Sequence, residues 1–330
     1  MANDGGVWVK LEDAGSSAPA GAAVINDAAS NYDNKDAGVT IDGKTYDIYT
    51  FTTATTTRSM FLTDEAQARI TDEDLLMAVA TTPIPDDFTG DPVELFDEKY
   101  RNQLRNAFEI TPAADPGLSL TVDTGGAADI LLVGGGGPGG SNQNNGQAAG
   151  GGGGGGVLTT VIGDAGGRGT QGETSIVPRY LNKGVHKVNV GAGGAATAWT
   201  GSPAPNGKDT HFGEWFIAYG GGRGRTVRSG STWVNANNGA SGGGSGGLGM
   251  DFQGFDSSGA GGGGAGSASN GNAGGDGVIS NITGAPVTYG AGGEVNGAGT
   301  SASSNTGNGG SNGNPGGSGG SGIVIVRVEV

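Results

Sequence analysis

From Gly125 onward roughly one residue in three is glycine, yet short apolar runs keep interrupting it: of 74 glycines in a chain of 330 residues, 66 lie at or after Gly125. Such a stretch has few side chains from which to build an oily core, and glycine loses more conformational freedom on ordering than any other residue. Whatever order it has must come mainly from the backbone. That shifts the expectation away from catalysis and toward scaffolding and adhesion.

The interruptions fall at residues 129–133, 157–162, 184–190, 214–219 and 323–330 and read as strands. The last is the clearest, with Val324, Val326, Val328 and Val330 on one face and Ile323, Ile325, Arg327 and Glu329 on the other. Between them lie glycine tracts at 134–156, 191–194, 220–225, 239–249, 259–277 and 290–322. A flexible linker has no reason to be punctuated by five hydrophobic strands. Near-neutral charge also sets this half apart from disordered segments. Extended left-handed threads with three residues per turn leave every N–H and C=O pointing outward, and glycine lets neighbouring threads approach until those groups bond laterally. Gly307, Gly310, Gly313, Gly316, Gly319 and Gly322 fall at every third position, which predicts a single rod about 50 Å long. Collagen is excluded by the short run, its one proline (Pro315) and the absence of the period elsewhere.

Composition places a seam near residues 111–124. Residues 1–124 carry 22 acidic and 8 basic residues, residues 125–330 carry 10 and 9. The front part, residues 1–123, reads as a small α+β domain. Val7, Val9 and Leu11 alternate with Trp8 and Lys10 as a strand, and Asp42-Gly43 between two β-like runs signals a tight hairpin. Thr71-Asp72-Glu73-Asp74 opens a helix over residues 75–80 that stops before Pro83. Asp91-Pro92-Val93-Glu94 opens another, whose stripe is Val93, Phe96, Tyr100, Leu104 and Phe108. The expected fold is therefore mainly β: an acidic α+β domain at 1–123, then a glycine-rich domain of strands and packed polyglycine II threads at 124–330.

Chemistry-bearing constellations are few. The acidic clusters Asp72/Glu73/Asp74 and Asp86/Asp87 sit at helix starts and turns, where dipole and solvent contacts explain them. His186 and His211 lack further ligands at metal spacing. Gly134 to Gly140 follows a strand like a phosphate loop, but no helix and no Gly-Lys-Ser/Thr follows. Gly274-Gly275-Asp276-Gly277 is an isolated fragment of a calcium-binding repeat. No enzyme, cofactor or metal is expected. Cysteine is absent, which excludes disulfides and thiolate sites. An acidic chain does not suit nucleic acid. No run approaches the length that spans a bilayer, and Met1–Gly6 shows no signal region, so a soluble product without a signal peptide is expected.

Asp129-Ile130-Leu131-Leu132-Val133-Gly134-Gly135-Gly136-Gly137 and Lys183-Gly184-Val185-His186-Lys187-Val188-Asn189-Val190-Gly191-Ala192-Gly193-Gly194 resemble successive motifs of the glycine-rich domain of phage tail fibre and receptor-binding proteins. Thr210-His211-Phe212-Gly213 before Ile217-Ala218-Tyr219-Gly220-Gly221-Gly222, then Tyr289-Gly290-Ala291-Gly292-Gly293, continue the match, and Gly319-Gly320-Ser321-Gly322-Ile323-Val324-Ile325-Val326-Arg327 closes it. The resemblance covers about residues 125–330 and implies a virion protein in a homotrimeric fibre or other tail appendage. It also implies docking to other virion proteins through residues 1–123 and a host-surface glycan or protein met by the C-terminal domain. A purely architectural virion role and, more remotely, an ice-binding polyglycine II protein are the alternatives. Trp199, Arg223, Arg225, Arg228, Trp233, Phe252, Phe255 and Tyr289 stand among the glycines as candidate receptor contacts, since aromatic faces stack on sugars and guanidinium forks pair with anions. The same aromatics read equally well as caps on the bundle's sparse core.

Overall fold

The computed structural model describes residues 2–4, 7–9, 21–55, 117–142, 149–161, 164, 180–198, 203–213, 216–228, 232–249 and 253–330. The chain divides into two compact units, Met1–Arg58 with Leu118–Val330, and Ser59–Gly117. All elements named below belong to the first. The helices expected at 75–80 and from Val93 lie outside the described residues.

In chain order the strands are β1 (Ala2–Asp4), β2 (Val7–Val9), β3 (Val24–Ile25), β4 (Asn34–Ile41), β5 (Lys44–Phe51), β6 (Ala54–Thr55), β7 (Ser119–Thr124), β8 (Gly126–Ala127), β9 (Asp129–Val133) and β10 (Val157–Thr159). They continue with β11 (Tyr180–Leu181), β12 (Gly184–Gly191), β13 (Thr210–Phe212), β14 (Phe216–Ala218), β15 (Thr226–Arg228), β16 (Thr232–Val234), β17 (Val278–Ser280), β18 (Val287–Tyr289) and β19 (Ile323–Glu329). The protein is mainly β; among the described residues its helical content is one 3-10 turn, Asp27–Ala29. Five antiparallel strands form one sheet in the order β10-β9-β19-β5-β4. A second sheet runs β14-β13-β12-β7-β3, with β6 added in parallel to the end of β12.

The two sheets enclose the main core. Tyr49, Phe51, Ile130, Leu132, Val324, Val326 and Val328 from the first meet Leu120, Val122, Val188, Val190 and Phe212 from the second. Because side chains alternate along a strand, Ile48, Leu131, Val133, Ile323 and Ile325 point the other way. There they pack on Val278, Ile282 and Tyr289 in a second core. Strand β19 is apolar on both faces because it lies mid-sheet with a core on each side. The β4–β5 hairpin turns at Asp42 (φ 50°) and Gly43 (φ 79°), the paired positive angles that a primed turn requires.

Arg327 breaks the apolar face of β19. It stands directly across from Asp129 on β9, and its Nη2 lies 2.7 Å from the Asp129 carboxylate. Nη1 donates to the Ile282 carbonyl at 3.2 Å, and the Tyr46 ring centroid lies 4.6 Å from the guanidinium carbon. The pair is nearly dry, with side-chain exposures of 8% and 15%. A buried pair of this kind fixes register more than it adds stability.

The compositional seam and the structural division differ. Strands β3 to β6, expected in a separate front domain, supply part of both sheets, and it is Ser59–Gly117 that separates as a unit of its own. Composition marks where glycine begins; pairing with β19 and β7 ignores that boundary.

Beyond the strands the chain runs straight on into glycine threads, and these pack as expected of polyglycine II. Residues Gly150–Gly156 form the central thread. Gly150, Gly153 and Gly156 donate to the carbonyls of Arg225, Gly222 and Tyr219, Gly151 and Gly154 to those of Ala260 and Gly263, and Gly152 and Gly155 to those of Gly310 and Gly307, all at 2.7–3.0 Å. Its own carbonyls accept from Gly140, Gly137 and Gly134, from Gly244 and Ser241, and from Gly293. Every third residue thus addresses the same neighbour, the signature of a threefold thread, and six threads surround the seventh. A Cβ on any residue from Gly150 to Gly155 would come well inside 3.0 Å of a neighbour's backbone oxygen, although none of these glycines has a left-handed φ. Glycine is needed here for closeness and not for its dihedral freedom.

The regular run from Gly307 to Gly322 departs from the expected single rod. It folds back around Asn314-Pro315 into two antiparallel threads, with Gly317 donating to the Ser311 carbonyl and Gly320 to that of Asn308, both at 2.8 Å. A period of three specifies direction residue by residue and carries no instruction about where a thread reverses.

Candidate functional site at the end of the thread bundle

Strand β9 becomes a thread at Gly134, and Gly140 stands six residues further along, about 20 Å from the sheet at the rise of such a helix. At that level Gly140, Gly150, Arg225, Gly244 and Gly313 close one layer: Gly140 donates to Gly150, Gly150 to Arg225, Arg225 to Gly244 and Gly313 to Gly140. Past this layer the threads give way to connections, and four of them meet at one buried serine.

Ser141 is 1% exposed. Its hydroxyl donates to the Thr197 carbonyl and accepts from the Gly316 amide at 3.0 Å. Its amide donates to Thr226 Oγ1 at 3.3 Å, and its carbonyl accepts from Val227 at 2.9 Å. Beside it the Asn142 amide donates to Gly313, and the Asn312 carboxamide to the Ala149 carbonyl. Residues 141–142 and 149, 196–197, 226–227 and 312–316 are thereby bonded to one another in place of a side-chain core. This satisfies buried polar groups that apolar packing would leave unpaired. Nothing in the sequence marked Ser141 apart from its position after a glycine tract.

The candidate contact residues do not share one place. Arg225 lies in the closing layer, and Arg228 and Trp233 lie on the paired strands β15 and β16 that follow it, with Val227 paired to Trp233 and Arg228 to Thr232. Trp199 and Phe252 fall outside the described residues. Arg223 lies two residues back along its thread, partly buried. Phe255 sits at mid-bundle, its amide donating to Gly264 and its carbonyl accepting from Gly242. Tyr289 differs from the expectation of an accessible contact: it is 4% exposed and belongs to the second core. Burial, and after it the charge of Asp164, pushes its phenol above the usual 10.0. The cap-on-the-core reading fits this residue, because the register with Val278 aims it at the five-stranded sheet.

His186 stacks on Phe212 at 5.4 Å and 4° between planes, with Nε2 2.9 Å from the Asn182 carbonyl, a packing role. Among the described residues no group of three or more His, Asp or Glu stands close enough to hold a metal ion, and no helix is long and apolar enough to cross a membrane.

Comparison with curated proteins gives no match. The model of the Glycine-rich domain family matches residues 115–329, from just before β7 to the end of β19 and so across the strands and threads that build the bundle. The chain belongs to the Glycine-rich domain family.

Proposed function

We propose that this is a bacteriophage virion structural protein, a tail fibre or tail appendage that contacts the host surface. The observation that carries the reading is the division of labour along the bundle. Threads held by main-chain hydrogen bonds form a stiff body, and it holds the connections gathered around Ser141 together at its far end. Binding residues on loops held by a rigid scaffold need little ordering when they engage a partner. The paired strands β15 and β16 that follow Arg225 carry Trp233 and Arg228 in their sequence, residue types that stack on sugars and pair with anions. Attachment to the particle falls to the acidic part of the chain, residues 1–123.

The test compares adsorption of the purified protein to host cells with that of Trp233→Ala and Trp199→Ala. Adsorption is expected to fall by about tenfold or more for a hot-spot aromatic. Unchanged adsorption in both variants removes the assignment of the far end. Imaging the particle adds an independent check, since an internal ring position in place of a distal one favours a purely architectural role.

A further inference from the structure

Among the described residues, Arg223 is a cation without a counter-charge. It stands within a thread whose neighbouring positions, Gly220, Gly221, Gly222 and Gly224, show that the bundle itself asks for nothing larger than hydrogen. Its Nε is buried and meets no acceptor, and Nη1 reaches only the Ala204 carbonyl, at a long 3.4 Å. No carboxylate among the described residues pairs with it. Burial alone lowers its pKa, so the surroundings disfavour the charge and offer nothing in return. The residue as a whole is half-buried, so a guanidinium held in this way can meet an arriving anion only through its terminal nitrogens.

Its surroundings are built of carboxamides. Asn206 Oδ1 accepts from the Arg223 amide at 3.1 Å and from Asn237 Nδ2 at 3.2 Å, while Asn206 Nδ2 donates to the Asn238 carbonyl at 2.9 Å. One side chain therefore locks three segments around the arginine. Asn238 is exposed beside it, with its Oδ1 fixed by the Leu248 amide at 2.9 Å. On a threefold thread, residues 223 and 225 project in different directions, so Arg225 does not share the side that Arg223 faces. A single planar fork matches the two oxygens of a carboxylate; a phosphate dianion calls for more cations. The adjoining carboxamides suit the hydroxyls of a sugar.

We infer that Arg223, with Asn237 and Asn238 at its rim, binds the carboxylate of an acidic sugar of the uronic acid class. The inference rests on the host-attachment reading and gives it a ligand chemistry.

The experiment titrates the full chain with glucuronic acid, with glucose and with inorganic phosphate, following backbone amide NMR shifts. Glucuronate should produce saturable shifts at Asn206, Arg223, Asn237 and Asn238, with glucose and phosphate each at least about tenfold weaker. Arg223→Lys keeps the charge but loses the fork and should weaken glucuronate about tenfold; Arg223→Gln should abolish the response. Thermal melts of both variants establish that they fold, and if Arg223→Gln does not, the wild-type selectivity and Arg223→Lys still decide. Equal binding of glucose, equal binding of phosphate, or shifts confined to other residues would overturn the site. Host adsorption separates the two ideas: a chain that saturates with glucuronate yet ignores host cells keeps the site and loses the attachment role. A chain that adsorbs to cells but ignores glucuronate does the reverse.

Discussion

The sandwich and the thread bundle are two solutions to the same problem, burying a main chain without leaving its polar groups unpaired. In the sandwich, strands exchange hydrogen bonds in the sheet plane and side chains fill the space between sheets, so Phe51, Phe212 and Leu120 are fully buried. In the bundle, the central thread sends hydrogen bonds to three neighbours and accepts them from three others, and backbone oxygens occupy the space where side chains would go. A side-chain core can shrink, repack or exchange one hydrocarbon for another. A core made of backbone has only one acceptable residue at each interior position. The contrast predicts that the least conspicuous substitution in the bundle rivals the most drastic one in the sandwich.

Gly153→Ala tests this most directly. The added methyl would be driven into the Ser241 carbonyl, and the expected loss is more than about 4 kcal/mol in urea unfolding. Gly117→Ala, where nothing lies within 4 Å of the new carbon, should stay within about 0.5 kcal/mol. If the two variants unfold alike, the backbone core is not what holds the threads. Next comes Phe51→Ala, expected to cost about 3–5 kcal/mol in the same assay through its cavity and lost apolar burial. Asp129→Ala leaves the Arg327 charge stranded beside the second core and should cost about 3 kcal/mol, whereas a joint exchange of Asp129 and Arg327 for apolar residues should recover most of it.

The smallest effect concerns acid. Burial works to raise the Asp33 pKa, but hydrogen bonds from Thr53 and Thr52 outweigh it and hold the carboxyl below its ordinary 3.8. A group depressed in the folded state stabilises fully above its unfolded value, and that contribution fades as pH falls below 3.8 toward the folded value. Asp33→Asn should therefore flatten the pH dependence of unfolding in that acid window and leave the curve near neutral pH parallel to wild type. Solvent exposure of the site keeps the amplitude small.

The sequence was readable where structure is decided locally. Strands at 129–133 and 323–330 and the turn at Asp42-Gly43 follow from alternation and from a dipeptide that tolerates positive φ. The threads followed from glycine's lack of a Cβ. Three-residue strands such as β13 and β17 are too short to show a period. Long-range choices were also hidden. Nothing in residues 44–51 announces that they will lie beside residues 323–329, because either face of β19 could have met any apolar strand. The candidate site was legible only as a list of conspicuous residues among glycines. Placing Tyr289 in a core and Ser141 at a junction required partners far along the chain, and the same holds for Arg223, whose surroundings come from residues 204–206 and 237–238.

The central thread also sets the order in which the molecule can be made. Its partners reach from Gly134 to Gly310, so it stays incomplete until contacts of very high sequence separation have closed. Such topologies fold slowly, since each loop must be closed before its lateral bonds reward it. No thread gains much from a single neighbour, and the bundle should therefore form, and come apart, as one cooperative step.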